Sequence, residues 1–128
     1  MESKTRRLNG FGVLVNVFTS VCPANEAKLQ SLPLDLSATV ARLLGKPEKY
    51  VMTNVVLGTD MSLGGSREAA CLVEIKSIGG LTRETGARLT EAVSELVRDA
   101  LDVPTNRVYV VCTDVPAHLW GFDGASFG

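Results

Sequence analysis

The side chains best suited to nucleophilic, metal-binding or proton-transfer chemistry are few in this chain: Cys22, Cys71, Cys112 and one histidine, His118. Zinc centres draw four ligands from close spacings such as C-x-x-C, and no such spacing occurs. Three scattered thiols read instead as reduced, mostly buried cysteines of a cytosolic protein. His118 follows Pro116 in a loop and reads as a surface histidine. No metal and no cofactor is expected. Three further positions stand out. Lys46 closes an apolar-periodic segment, where its charge complements the negative end of a helix. Ser77-Ile78-Gly79-Gly80 reads as a strand end followed by a tight turn, and Tyr109 lies among valines, where it can pack.

The elements that must position these residues follow from patterning. Val13-Leu14-Val15-Asn16-Val17-Phe18 is apolar and rich in β-branched residues, hence a strand. Residues 22–31 hold Pro23 and Asn25 and read as a connection, with room for a helical turn. Pro33 suits the first turn of a helix, where a missing N–H costs nothing. Leu36, Val40, Leu43 and Leu44 then share one helical face, and Gly45 ends that helix. Tyr50 to Leu57 is a second strand, Gly64-Gly65-Ser66 a turn, and Ala70 to Ile78 a third strand. A second helix places Leu89, Val93, Leu96, Val97, Ala100 and Leu101 on one face. Arg88, Glu91, Glu95 and Arg98 occupy the other, with Glu95 and Arg98 able to pair. Arg107 to Thr113 is the fourth strand. The aromatic, turn-rich tail from Trp120 to Phe127 is expected to dock.

These elements repeat. Leu44-Gly45-Lys46-Pro47-Glu48-Lys49-Tyr50-Val51 returns as Leu101-Asp102-Val103-Pro104-Thr105-Asn106-Arg107-Val108, with Leu, Pro and Val in register. The same offset sets Leu36 on Val93 and Val40 on Val97. The fold class is therefore α+β: two βαβ repeats form a four-stranded sheet with two helices on one face. Each crossover should be right-handed. Val55-Val56-Leu57 and Val108 to Val111 are apolar on consecutive residues, hence on both strand faces. The face without helices needs an apolar partner, most simply another copy of the chain.

Composition sets the outer bounds. The chain has 128 residues, 45% hydrophobic and 21% charged, with a formal net charge of −1. That is one soluble domain, without the charge that draws nucleic acid or an anionic membrane. Lys4, Arg6 and Arg7 form the only basic cluster and read as a solvated tail. No segment is long and apolar enough to cross a bilayer. The stretch from Phe11 to Phe18, followed by Cys22-Pro23-Ala24, could pass for a secretory signal. The repeat favours a strand, since Val13 to Val21 falls on Ala70 to Ile78. A cytoplasmic location, or secretion without a signal peptide, is expected.

Five pieces in order now carry a resemblance. They are Leu44-Gly45-Lys46-Pro47 with Tyr50-Val51-Met52; Met61-Ser62-Leu63-Gly64-Gly65-Ser66; Ser77-Ile78-Gly79-Gly80; Arg107-Val108-Tyr109; and Trp120-Gly121-Phe122. Together they resemble the macrophage migration inhibitory factor family of the tautomerase superfamily, which includes D-dopachrome tautomerase. The resemblance covers residues 13–128 and leaves residues 1–12 as an amino-terminal extension. It implies a homotrimer whose sheets line a barrel with the helices outside. It also implies keto–enol tautomerisation of phenylpyruvate-like acids or dopachrome, which needs a base of near-neutral pKa, cations for the carboxylate and an apolar slot.

By resemblance, Lys46 binds the substrate carboxylate, the backbone of Ile78 beside Ser77 holds substrate, and Tyr109 is brought to a neighbouring subunit's pocket. Val111 stands where a vertebrate member has asparagine, so one polar contact is lost. The family base is the amine of an amino-terminal proline. That position falls near Val13, where no proline occurs and the nitrogen is an amide. Two function classes follow. One is a tautomerase, weak or inactive by the family mechanism, acting on a small aromatic keto acid. The other is a non-catalytic, cytokine-like binding or signalling trimer with a protein receptor.

Overall fold

In a computed structural model that describes residues 10–22 and 26–128, the alternating apolar segments become a four-stranded mixed sheet. Its strands are β1 (Val13–Thr19), β2 (Val51–Val56), β3 (Cys71–Ser77) and β4 (Val108–Asp114), in the order β2-β1-β3-β4. Helix α1 (Glu26–Leu44) connects the parallel pair β1 and β2, and α2 (Arg83–Leu101) connects the parallel pair β3 and β4. The two βαβ units meet through the antiparallel pairing of β1 with β3, where Val13 faces Ser77 and Val17 faces Val73. The doubled unit expected from the repeat is thus the architecture of the chain.

Period-two burial explains why β1 and β3 lie at the centre. Val13, Val15, Val17, Cys71, Val73 and Ile75 turn one face to the helices and are buried. Leu36 and Val40 from α1, with Leu89, Val93, Val97 and Leu101 from α2, complete the core. At the end of β1 the buried hydroxyl of Thr19 donates from Oγ1 to the Ala70 carbonyl at 2.9 Å, so its burial leaves no polar atom unpaired. A capping box starts α2. Thr82 Oγ1 accepts from the Thr85 amide at 3.1 Å, and Thr85 Oγ1 from the Thr82 amide at 2.8 Å.

Several local expectations shift. Helix α1 begins at Glu26, so Pro33 is internal rather than in its first turn. Leu29 and Leu32 extend the apolar stripe of α1 backwards, and Leu32 is fully buried. That burial, together with tertiary packing, outweighs the roughly 3 kcal/mol that an internal proline costs. Tyr50 and Arg107 end short 3₁₀ turns instead of starting strands. Arg98 pairs with Asp99 at 3.2 Å, and the i,i+4 ion pair of α2 joins Glu84 to Arg88 at 2.7 Å. Of the connection expected at 22–31, residues 26–31 are helical, while Pro23 and Asn25, like the Lys4, Arg6, Arg7 cluster, lie outside the described residues.

The tail docks as expected. β5 (Gly121–Phe122) and β6 (Ala125–Ser126) form a small hairpin, and Phe127 is buried behind it. Among the described residues, no element covers the opposite face of the main sheet. Met52 is 64% exposed and Tyr109 61%, with Val56 and Val111 also exposed, on the side away from the helices.

Candidate functional site

The candidate site sits where the start of β1 and the end of β3 meet the turn that follows α1. Gly45, in the left-handed region at φ 63°, stops α1 and turns the chain so that Lys46 reaches back across the end of β3. Lys46 Nζ donates to Ser77 Oγ at 2.6 Å, to the Ile78 carbonyl at 2.8 Å and to the Gly79 carbonyl at 3.3 Å. Three of the residues singled out by sequence, Lys46, Ser77 and Ile78, therefore form one cluster. An ammonium has three protons, and all three find oxygens within the chain. Burial lowers the Lys46 pKa, while the nearby Asp114 carboxylate opposes that shift. Asp114 Oδ1 also accepts from the Gly79 amide at 2.8 Å, which fixes the Gly79-Gly80 turn.

Next to this cluster opens a cavity of about 460 Å³, lined by Gly12, Lys49, Tyr50, Met52, Trp120, Phe122 and Phe127 among others. Its walls are mainly apolar and aromatic, the composition that takes a small ring. Gly12 links cavity and cluster: its carbonyl accepts from the Ile78 amide at 3.1 Å. A Cβ placed on Gly12 would lie 2.7 Å from Trp120 Cε2 and 3.0 Å from Ile78 Cδ1. The indole thus packs against the bare backbone of residue 12. The side chain of Val13, the position named from sequence, is fully buried in the core.

Aromatic contacts organise the cavity wall. Tyr50 stacks on Phe11 at 5.5 Å between centroids, meets Phe122 edge-on at 5.6 Å, and Phe122 stacks on Phe127 at 5.8 Å. Lys49 Nζ lies 5.1 Å from the centre of the Tyr50 ring. Sequence reading placed Tyr50 and Trp120 in the resembling pieces but gave them no role. It missed Gly12, Phe11 and Lys49. The signal available for Gly12 was a glycine immediately before an apolar strand, which commonly marks close approach of another group.

Tyr109 and Val111 lie apart from the cluster, on β4, with their side chains on the open sheet face. The cysteines also lie apart from one another as free thiols: Cys22 is exposed, Cys71 buried and Cys112 half-buried. Burial pushes the Cys71 thiol up to about 12 and raises Cys112 as well. Neither is a ready thiolate at neutral pH. Among the described residues, no group of three or more His, Cys, Asp or Glu side chains could hold a metal ion.

Comparison with known proteins places this geometry. The family model for macrophage migration inhibitory factor matches residues 13–128. A crystal structure of a macrophage migration inhibitory factor homologue from Prochlorococcus marinus superimposes with a TM-score of 0.84 at 43% identity, covering 90% of this chain and 99% of that one. The macrophage migration inhibitory factor of Toxoplasma gondii superimposes with a TM-score of 0.82 at 32% identity, covering 88% and 98%. A homologue from Brugia malayi is 37% identical over 92 residues, 72% of this chain and 80% of that protein.

Proposed function

The chain belongs to the macrophage migration inhibitory factor family, and on that premise we propose that it forms a homotrimer whose aromatic pocket binds a small aromatic keto acid, with weak or no tautomerase turnover. The observation that carries this reading is the strand start, Gly12-Val13. In the family the base is the amine of an amino-terminal proline, exposed at the start of the first strand. Here the strand start at the cavity wall is Gly12-Val13, neither residue a proline, and both nitrogens are chain amides. An amide cannot accept the proton that leaves the carbon beside a carbonyl. The Trp120 indole also occupies the space that a ring on residue 12 would need.

Binding is supported separately from turnover. The cavity offers stacking surfaces from Tyr50, Phe122 and Trp120, with the Lys49 ammonium at its rim. Lys46, with Ser77 and the Ile78 carbonyl, lies next to it and would hold a carboxylate only by exchanging one of its present oxygens. The open sheet face, with Met52, Val56, Tyr109 and Val111, supplies the apolar surface for subunit contact. In such a trimer Tyr109 would reach a neighbouring pocket. A cytoplasmic location, or release without a cleaved signal, goes with this reading, because the apolar run at 13–19 is a central strand.

The saturated Lys46 favours a second reading, a cytokine-like trimer that binds a protein receptor and has no small-molecule turnover. One assay separates these readings from an active enzyme. After intact mass has established whether residues 1–12 are retained, phenylpyruvate tautomerisation is measured on the same material. Slow or undetectable turnover is expected, and robust turnover with the extension intact would sink the proposal. Calorimetry with phenylpyruvate then divides the two readings, since only the first expects binding. A monomer by light scattering would overturn the trimer.

A further inference from the structure

The family match begins at residue 13, yet the residues just before it are built into the pocket. Gly12 lines the cavity and is tied to β3 through the bond from the Ile78 amide to its carbonyl. Gly10, at φ 92°, turns the chain where a side chain would be strained. Between them Phe11 lies nearly parallel to Tyr50, with 20° between the rings and 5.5 Å between centroids. We propose that Gly10-Phe11-Gly12 is an intramolecular strap, and that Phe11 competes with an aromatic ligand for the face of Tyr50.

The geometry gives the strap its logic. A chain that continues upstream from β1 must leave past the cavity wall, because Gly12 is part of that wall. The two glycines let the backbone pass close to Trp120 and Ile78, so the only side chain the segment presents is a phenyl ring. That ring takes the stacking interaction on Tyr50 that an incoming ring would use. Phe122 already holds one edge of Tyr50 and the Lys49 ammonium lies over its ring, so few other stacking positions remain. Ligand affinity is then reduced by the fraction of time the strap is seated.

This inference rests on the aromatic pocket proposed above, so its test separates the two. Calorimetry with 3-phenylpropanoate, an aromatic carboxylate with no keto group to enolise, is run on the full chain, Phe11→Ala and Phe11→Tyr. NMR of the Tyr50 ring protons is recorded for each. A stacking pair of this kind corresponds to about three- to tenfold in affinity. Phe11→Ala should bind about three- to tenfold more tightly, with Tyr50 resonances shifted by loss of the ring current, and Phe11→Tyr should match the natural chain. Equal or weaker binding by Phe11→Ala would overturn the strap, as would Tyr50 resonances that do not move. If no variant binds the probe while the Tyr50 resonances do move, the aromatic-carboxylate ligand is wrong and the seated strap is right.

Discussion

The two turns that follow the helices share one backbone and do opposite work. After α1 the chain passes through a left-handed residue, Gly45 at φ 63°, then Lys46, Pro47, a 3₁₀ turn ending at Tyr50, and β2. After α2 it passes through a left-handed Asp102 at φ 57°, then Val103, Pro104, a 3₁₀ turn ending at Arg107, and β4. Lys46 turns to the end of β3 and Tyr50 to the cavity. Their counterparts stabilise the fold: Val103 is fully buried in the core. Arg107 donates to the carbonyls of Ala69 at 3.1 Å, Leu63 at 2.9 Å, Ser66 at 3.2 Å and Glu68 at 2.9 Å. A repeated scaffold can thus dedicate one copy to a site and the other to holding the molecule together.

The sharpest way to break this division is Arg107→Ala. Four carbonyls lose a charged donor, so urea denaturation should show about 3 kcal/mol less stability. Affinity for an aromatic carboxylate should stay within twofold of the natural chain. Val103→Ala comes next, at about 2 kcal/mol for the lost methyl groups and the space they leave, again without effect on the pocket. An equal loss of ligand binding in either variant would mean that the second turn also serves the site.

The left-handed positions sharpen the comparison further. Gly45→Ala should cost about 1 kcal/mol, because a side chain is strained at that φ. Asp102→Gly should change stability by only a few tenths of a kcal/mol, as the relieved strain offsets the greater freedom of the unfolded chain. Both are read by thermal or urea unfolding.

The smallest effect concerns pH. The lowered Lys46 pKa means that the unfolded chain binds this proton more readily than the folded one. Stability of the natural chain relative to Lys46→Met should therefore be flat below the folded pKa and rise as pH climbs towards the ordinary 10.5. Urea unfolding of both proteins across that range checks the sign, and a fall would mean that the three oxygen contacts outweigh burial.

Sequence made the scaffold legible wherever one residue type answers one physical demand. Alternating valines in β1 and β3 demand a half-buried strand, and Leu89, Val93, Val97 and Leu101 demand a helix face. The paired prolines exposed the repeated turn. Pro33 misled because its local preference for a first turn hid the earlier stripe of Leu29 and Leu32, whose tertiary burial carries the helix through it. Lys46, Ser77 and Ile78 were found as residues, but not the carbonyl cage around Nζ, since backbone oxygens leave no trace in a side-chain pattern. The aromatic series from Phe11 to Phe127 joins segments from both ends of the chain, so no local window contains it.

The contact between Gly12 and Trp120 also constrains what this chain can become. A ring or even a methyl group at residue 12 meets the indole at 2.7 Å, so substitutions at 12 and 120 are epistatic. Gly12→Pro alone meets a steric penalty before it can confer any new property. A change at Trp120 alone uncovers the bare backbone of residue 12. Variation at the strand start is therefore coupled to variation in the tail that covers it. Each change is unfavourable without the other, which makes this corner of the pocket resistant to single substitutions.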